Sequence, residues 1–81
     1  RINTSEENKH ALVQKIASHY SQILPSDRIN RLDGIRISFD DGWALARPSN
    51  TQPVLVLRFE ATSEAALARM QSEFRNITGE M

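Results

Sequence analysis

The sequence has no cysteine, which excludes disulfides and thiol catalysis. Its two histidines, His10 and His19, stand nine residues apart, off the i, i+4 spacing of a helical metal pair, so no metal site is expected. Charge of one sign is missing too: ten basic and ten acidic side chains cancel. No global field draws such a chain to nucleic acid or to an anionic membrane surface, and any anion site must be local. No apolar run approaches the roughly 20 residues of a membrane span, and no basic-then-apolar leader opens the chain. The expectation is a soluble, cytoplasmic protein that binds neither nucleic acid nor membrane. The sequons at Asn3 and Asn76 then read as chance. A Gly-rich phosphate loop, a G-x-S-x-G elbow and an aromatic-basic RNP-like strand are all absent.

What is present fits one domain, residues 1–81, with one modest core. The chain opens on Arg1 and runs straight into a helix signal, as a piece cut from something longer does, although processing gives the same start. Thr4 and Glu7 in "TSEE" have capping-box spacing. Leu12, Ile16, Tyr20 and Ile23 then recur at helical spacing, predicting a helix from about Ser5 to Ile23, before Pro25. Lys9, Lys15 and both histidines on that helix read as surface or rim side chains. Ile29 to Leu32 is a short apolar-containing run. Asp33-Gly34 after it is a two-residue hairpin signal, because a type I′ turn needs positive φ twice. Ile35, Ile37 and Phe39 alternate with Arg36 and Ser38, as in a half-buried strand. "DDG", Asp40 to Gly42, makes the next turn, so the paired carboxylates there read as a turn rather than an acid-base pair.

Trp43, Leu45 and Arg47 share one strand face, and "VLVLRF", Val54 to Phe59, is apolar on both faces, as expected of a central strand. Thr62 or Ser63 can cap a second helix whose Leu67, Met70, Phe74 and Ile77 face the core. The order predicts an α+β fold: a mostly antiparallel, four-stranded sheet with two helices packed on one face, Ile2 adding a possible short edge strand.

Between two strands lies "RPSNTQP", Arg47 to Pro53. Polar loops face water, and Ser, Asn and Thr are ordinary turn formers. This loop can do more: the Arg47 fork fits two oxygens of a phosphate, Ser49 and Thr51 add hydroxyls, and Asn50 adds an amide. Successive backbone N–H groups in a turn can also form an anion-binding concavity. Pro48 and Pro53 restrict the loop's ends, so less entropy is lost on ordering it around a ligand. As nucleophiles, Ser49 and Thr51 need a base within hydrogen-bond reach, and neither histidine is close in sequence.

"DGWALARPSNTQPVLVLRFEA", Asp41 to Ala61, closely resembles the last domain of the α-D-phosphohexomutases, in the phosphomannomutase/phosphoglucomutase branch. "LDGIRISF" and the helix starting at Ser63 extend the resemblance over nearly the whole chain. It implies the fourth domain of a four-domain enzyme, with a TATA-box-binding-protein-like fold. In that family, a phosphoserine on the first domain and Mg2+ held by aspartates on the second perform the phosphoryl transfers, and neither motif occurs here. The resemblance implies that Arg47, Ser49, Asn50 and Thr51 hold the phosphate that is not reacting. It also implies that this domain alone is not catalytic. The substrate implied is glucose or mannose 1- or 6-phosphate, and the partners are the other three domains of the same chain. Asn50, where related amino-sugar phosphate mutases usually carry Gly, leans the match toward hexose phosphates.

Gln52 stands where many members have Glu, and Ala44 where Gly is frequent. Neither is an assigned ligand, so the departures bear on loop geometry and not on the phosphate role. A second reading, from another class, is a non-catalytic protein-interaction module using an exposed sheet face or edge, marked by an apolar patch that includes Trp43 or the outer side of "VLVLRF". A third, nucleic-acid binding, needs a basic sheet face, for which the strands offer Arg36, Arg47 and Arg58.

Overall fold

The computed structural model describes residues 2–3 and 6–79, with side chains from residue 8 onward. The capping box of Thr4 and Glu7 lies outside the described residues. The elements in order are β1 (Ile2–Asn3), α1 (Glu6–Ser21), a 3-10 turn (Ser26–Arg28), β2 (Ile29–Asn30), β3 (Ile35–Phe39), β4 (Gly42–Pro48), β5 (Val54–Ala61) and α2 (Glu64–Thr78). They build one antiparallel sheet in the order β1-β5-β4-β3-β2, with β1 as the short edge strand expected around Ile2.

Period-two alternation decides which side chains of the sheet meet the helices. Ile35, Ile37, Ala44, Ala46 and Leu55 point inward and are buried. Leu12, Val13, Ile16, Ala17 and Tyr20 meet them from α1, with Phe74 from α2. The two central alanines leave room for both helices to lie close on the same face. Tyr20 and Phe74 fill the space between the helices at a ring separation of 5.9 Å. Ser63 caps α2 by accepting a hydrogen bond from the Ala66 N–H at 3.1 Å. Gly79 ends that helix in the left-handed region, φ 73°, its N–H reaching Arg75 O at 2.8 Å.

Four local expectations need correction. The Asp33-Gly34 pair does not make a two-residue hairpin: Asn30 pairs with Arg36, so five residues, 31–35, separate the last paired positions. The Asn30 side chain explains the longer path, because its Oδ1 accepts the Leu32 N–H at 2.9 Å and bends the chain out of the ladder. Leu32 is consequently left at the tip, 92 % exposed, instead of extending the strand. Helix α1 stops at Ser21, where the Tyr20 carbonyl accepts the Leu24 N–H in a final turn, and Ile23 is thrown outward. Finally, β4 is the middle strand of the five, and β5 lies one place from the edge, paired on its far side among the described residues at Val54 and Leu55.

Two glycines hold the sheet's ends together. Gly34 has φ 75°, and a Cβ there would strike the Ala46 carbonyl oxygen. Gly42 has φ 152°, and a Cβ would strike the Glu60 carbonyl oxygen on β5.

Candidate functional site

The hairpin between β4 and β5 carries the candidate loop, residues 49–53, at the C-terminal end of the central strand. Pro48 is the last residue of β4, where its missing N–H costs no ladder bond. The Ser49 N–H donates to Val54 O at 3.0 Å and closes the loop. The Val54 N–H donates to Gln52 O at 2.8 Å, a three-residue turn centred on Pro53. A proline ring fixes φ near the value of about −75° that such an inverse γ-turn uses, which explains proline there. Ser49 Oγ accepts the Thr51 N–H at 3.3 Å and lies 3.5 Å from Thr51 Oγ1, a local serine turn.

Arg47, Ser49 and Asn50 line one open cleft of about 320 Å3, together with Asp33, Pro48 and Val56. Thr51 is not part of that lining; its hydroxyl sits beside Ser49 Oγ. The Arg47 guanidinium is held toward the cleft by Asp33, Nη1 to Oδ2 3.3 Å, in a pair whose side chains are 51 % and 75 % exposed. Such an ion pair in water is weak and easily exchanged. Among the described residues no histidine hydrogen-bonds Ser49 or Thr51, so no base activates either hydroxyl. The Arg47 guanidinium, the Ser49 hydroxyl and the Asn50 amide line one concave surface beside the Asp33 carboxylate, and donors of these kinds suit the oxygens of an anion.

Lys9 is the residue that the sequence reading placed wrongly. It is buried, 3 % exposed, and its ammonium donates to the Ser49 carbonyl at 2.5 Å and to the Gln52 carbonyl at 3.4 Å. A signal for it existed, since Lys9 falls three and four residues before Leu12 and Val13, on the stripe that faces the core. His10 and His19 are exposed, as surface side chains should be.

A second hollow, of about 350 Å3, lies at the other end of β4 and includes Arg28, Asp40, Asp41 and Arg69. Its charges face one another: Arg28 Nη2 to Asp40 Oδ1 is 2.7 Å, and Arg69 grips both Asp41 oxygens at 2.6 and 2.7 Å. On the outer sheet face Trp43, Leu45 and Val56 are half-buried, and the Arg36 guanidinium lies 4.6 Å from the Trp43 ring. Arg47 and Arg58 share that face with Glu60. The face is a mixture of arginine, acid and apolar groups rather than an open apolar patch.

The fold and the loop together define a two-layer α+β domain that presents a donor-rich hairpin at one end of its sheet. Residues 1–77 match the model of the phosphoglucomutase/phosphomannomutase C-terminal domain. The phosphomannomutase/phosphoglucomutase of Pseudomonas putida is 53% identical over 74 residues, 91% of this chain and 16% of that protein. The corresponding protein of Pseudomonas aeruginosa is 41% identical over 75 residues, 93% of this chain and 16% of its own. A crystal structure of a phosphoglucomutase/phosphomannomutase family protein from Burkholderia thailandensis superposes with a TM-score of 0.67 at 48% identity, covering 82% of this chain and 14% of that one. The chain belongs to the phosphoglucomutase/phosphomannomutase family and matches its C-terminal domain. It spans about a sixth of the length of the curated relatives it matches, 16% in both Pseudomonas proteins.

Proposed function

We propose that the chain is a single substrate-phosphate-binding domain of a larger phosphohexomutase, cytoplasmic, in which Arg47, Ser49, Asn50 and Thr51 hold the phosphate of a glucose or mannose phosphate that is not reacting. The observation that carries this reading is the cleft beside the loop, where Arg47, Ser49 and Asn50 converge with no base among them. Arg47 supplies the charge and a two-pronged fork, Ser49 and Thr51 supply hydroxyl donors, and the Asn50 amide completes the ring of contacts.

The whole enzyme, on this proposal, transfers a phosphoryl group from a phosphoserine to a hexose monophosphate, forming a 1,6-bisphosphate. The bisphosphate reorients and returns its other phosphoryl group to the serine. A site made of donors that touch only phosphate oxygens accepts either end of the bisphosphate, because it does not read the sugar carbon to which the phosphate is attached. Fixing the remote phosphate also lets its binding energy orient the reacting end. The other domains of the same chain are the partners, closing around the substrate. On this proposal Mg2+ is held by the other domains, and no step here runs through it.

The test is Arg47→Ala in the full-length enzyme. Loss of a bidentate, charge-assisted contact predicts a fall in kcat/KM of about a hundredfold, while the unfolding midpoint stays put. Unchanged kinetics would overturn the phosphate assignment.

A further inference from the structure

A lysine at the core edge is costly to bury unless its ammonium is hydrogen-bonded. Lys9 occupies a core-facing turn of α1, where an apolar side chain is usual, and both of its loop contacts are with one short segment 40 and 43 residues away. A loop carbonyl turned away from water needs a donor; the Ser49 carbonyl has the Lys9 ammonium, and the Gln52 carbonyl has it beside the Val54 N–H. The ammonium, with three donors on a compact head, serves both at once.

The orientation that results matters more than the satisfaction. In a trans peptide the C=O and the following N–H point in opposite directions. Drawing the Ser49 carbonyl in toward Lys9 therefore turns the Asn50 N–H out, toward the exposed side of the loop where Asn50 lines the cleft. Among the described residues the Asn50 N–H has no hydrogen-bond acceptor. The Gln52 carbonyl leads into Pro53, which has no N–H, so the one amide these two contacts turn outward is that of Asn50. The Gln52 carbonyl also accepts the Val54 N–H, so Lys9 bonds to the same atom that shapes the Pro53 turn.

We propose that Lys9 is a positioning residue of the anion site: from α1 it draws the Ser49 and Gln52 carbonyls inward, presets the Asn50 N–H as a donor to the bound phosphate, and adds a positive charge beneath the loop. The proposal rests on the phosphate reading of Arg47 to Thr51 and deepens it. It makes the first helix part of a site that the motif alone confines to the hairpin.

The experiment compares Lys9→Met, Lys9→Arg and Arg47→Ala in the full-length enzyme, measuring kcat and KM with glucose 1-phosphate. Losing an ammonium hydrogen bond predicts that Lys9→Met raises KM about tenfold while kcat changes less than about threefold. Lys9→Arg, which keeps charge and donors, should bring KM part of the way back. A lysine that served only to stabilise the fold would lower the amount of active enzyme, and hence the apparent kcat, at an unchanged KM; that result overturns the proposal. If Lys9→Met cannot be recovered folded, Lys9→Gln is read instead, with raised KM in favour and unchanged KM against. An effect of Arg47→Ala without one from the Lys9 variants sinks the role of Lys9 and leaves the phosphate reading standing. No effect from Arg47→Ala removes both.

Discussion

The two hairpin connections at opposite ends of β4 use similar side chains in opposite ways. At its start, Asp40 and Asp41 join β3 to β4 with only two residues, and both carboxylates are gripped by arginines, Arg28 at 2.7 Å and Arg69 at 2.6 and 2.7 Å. At its end the connection takes five residues, 49–53, and the exposed cation beside it, Arg47, meets a loose and exposed carboxylate at 3.3 Å. Ions that grip each other are part of the architecture and have little left for a ligand. Donors held in place by backbone bonds, with their polar atoms turned to water, are available to one. A polar cluster in a hollow therefore says little until one asks what its members already bind, and the larger hollow here is the one whose charges are spent.

Substitutions at the two ends should separate into stability effects and binding effects. The largest loss is expected for Gly42→Ala, at the turn end. Its φ of 152° is poorly tolerated by alanine, and the new Cβ meets the Glu60 backbone, which cannot move aside as a side chain could. The 81-residue chain should lose about 3 kcal/mol, seen in urea unfolding followed by the fluorescence of Trp43, its only tryptophan. The hundredfold kinetic loss proposed for Arg47→Ala is the mirror image, leaving that unfolding curve in place. A Gly42→Ala curve that superposes on the wild type would mean that β4 and β5 can separate at that end, and the comparison would break.

How far the sequence could lead depended on whether a feature was local. Helix α2 was legible because Leu67, Met70, Phe74 and Ile77 keep one period after a serine that can cap it, although the Gly79 stop was not read. The alternation of β3 and the loop motif were legible for the same reason. Three misreadings came from interactions that spacing does not carry. Asn30 diverts the Asp33-Gly34 turn through a side-chain bond to Leu32 N–H, a competition that a turn dipeptide cannot reveal. Ile23 continued the helical period on paper, but the helix had ended at Ser21. Lys9 fell on the buried stripe and was set aside for its charge, since its reason for being buried lies 40 residues further on. The candidate site was thus half visible: the residues proposed to hold the phosphate form a motif, whereas the Lys9 contacts from α1 exist only in the tertiary structure.

Between the two ends, Tyr20 offers a smaller test. Its hydroxyl donates to Glu73 Oε1 at 2.8 Å, linking α1 to α2, and Arg69 Nε lies 3.4 Å from Glu73 Oε2, so the chain of contacts continues to Asp41. Burial pushes the phenol well above its usual range, with the Glu73 hydrogen bond and charge adding to the effect. Tyr20→Phe keeps the ring packing against Phe39 and Phe74 and should cost about 1 kcal/mol, with no change in KM. A raised KM would show that the network reaches the loop, and the division between the two ends would have to be redrawn.

The smallest effect, and the sharpest in sign, belongs to Asp41. The hydrogen bonds from Arg69 hold its carboxyl below the usual range, the guanidinium charge assisting and partial desolvation opposing. In the unfolded chain the same group titrates near pH 4, at about 3.9. Because the folded state binds the proton less readily, the pair contributes its full stability above that pH and loses it as pH falls through the lower, folded value. Asp41→Asn removes the charge, so the variant should be slightly less stable than wild type at neutral pH, with the gap closing as both are acidified. The exposed position of the pair also makes the gap shrink with added salt. Unfolding curves of the two proteins across pH 2 to 7 read this directly. A gap that persists in acid would mean that Asp41 acts through the geometry of the turn and not through its charge, and the turn end would then be fixed by shape, as Gly42 already suggests, rather than by the ion pair.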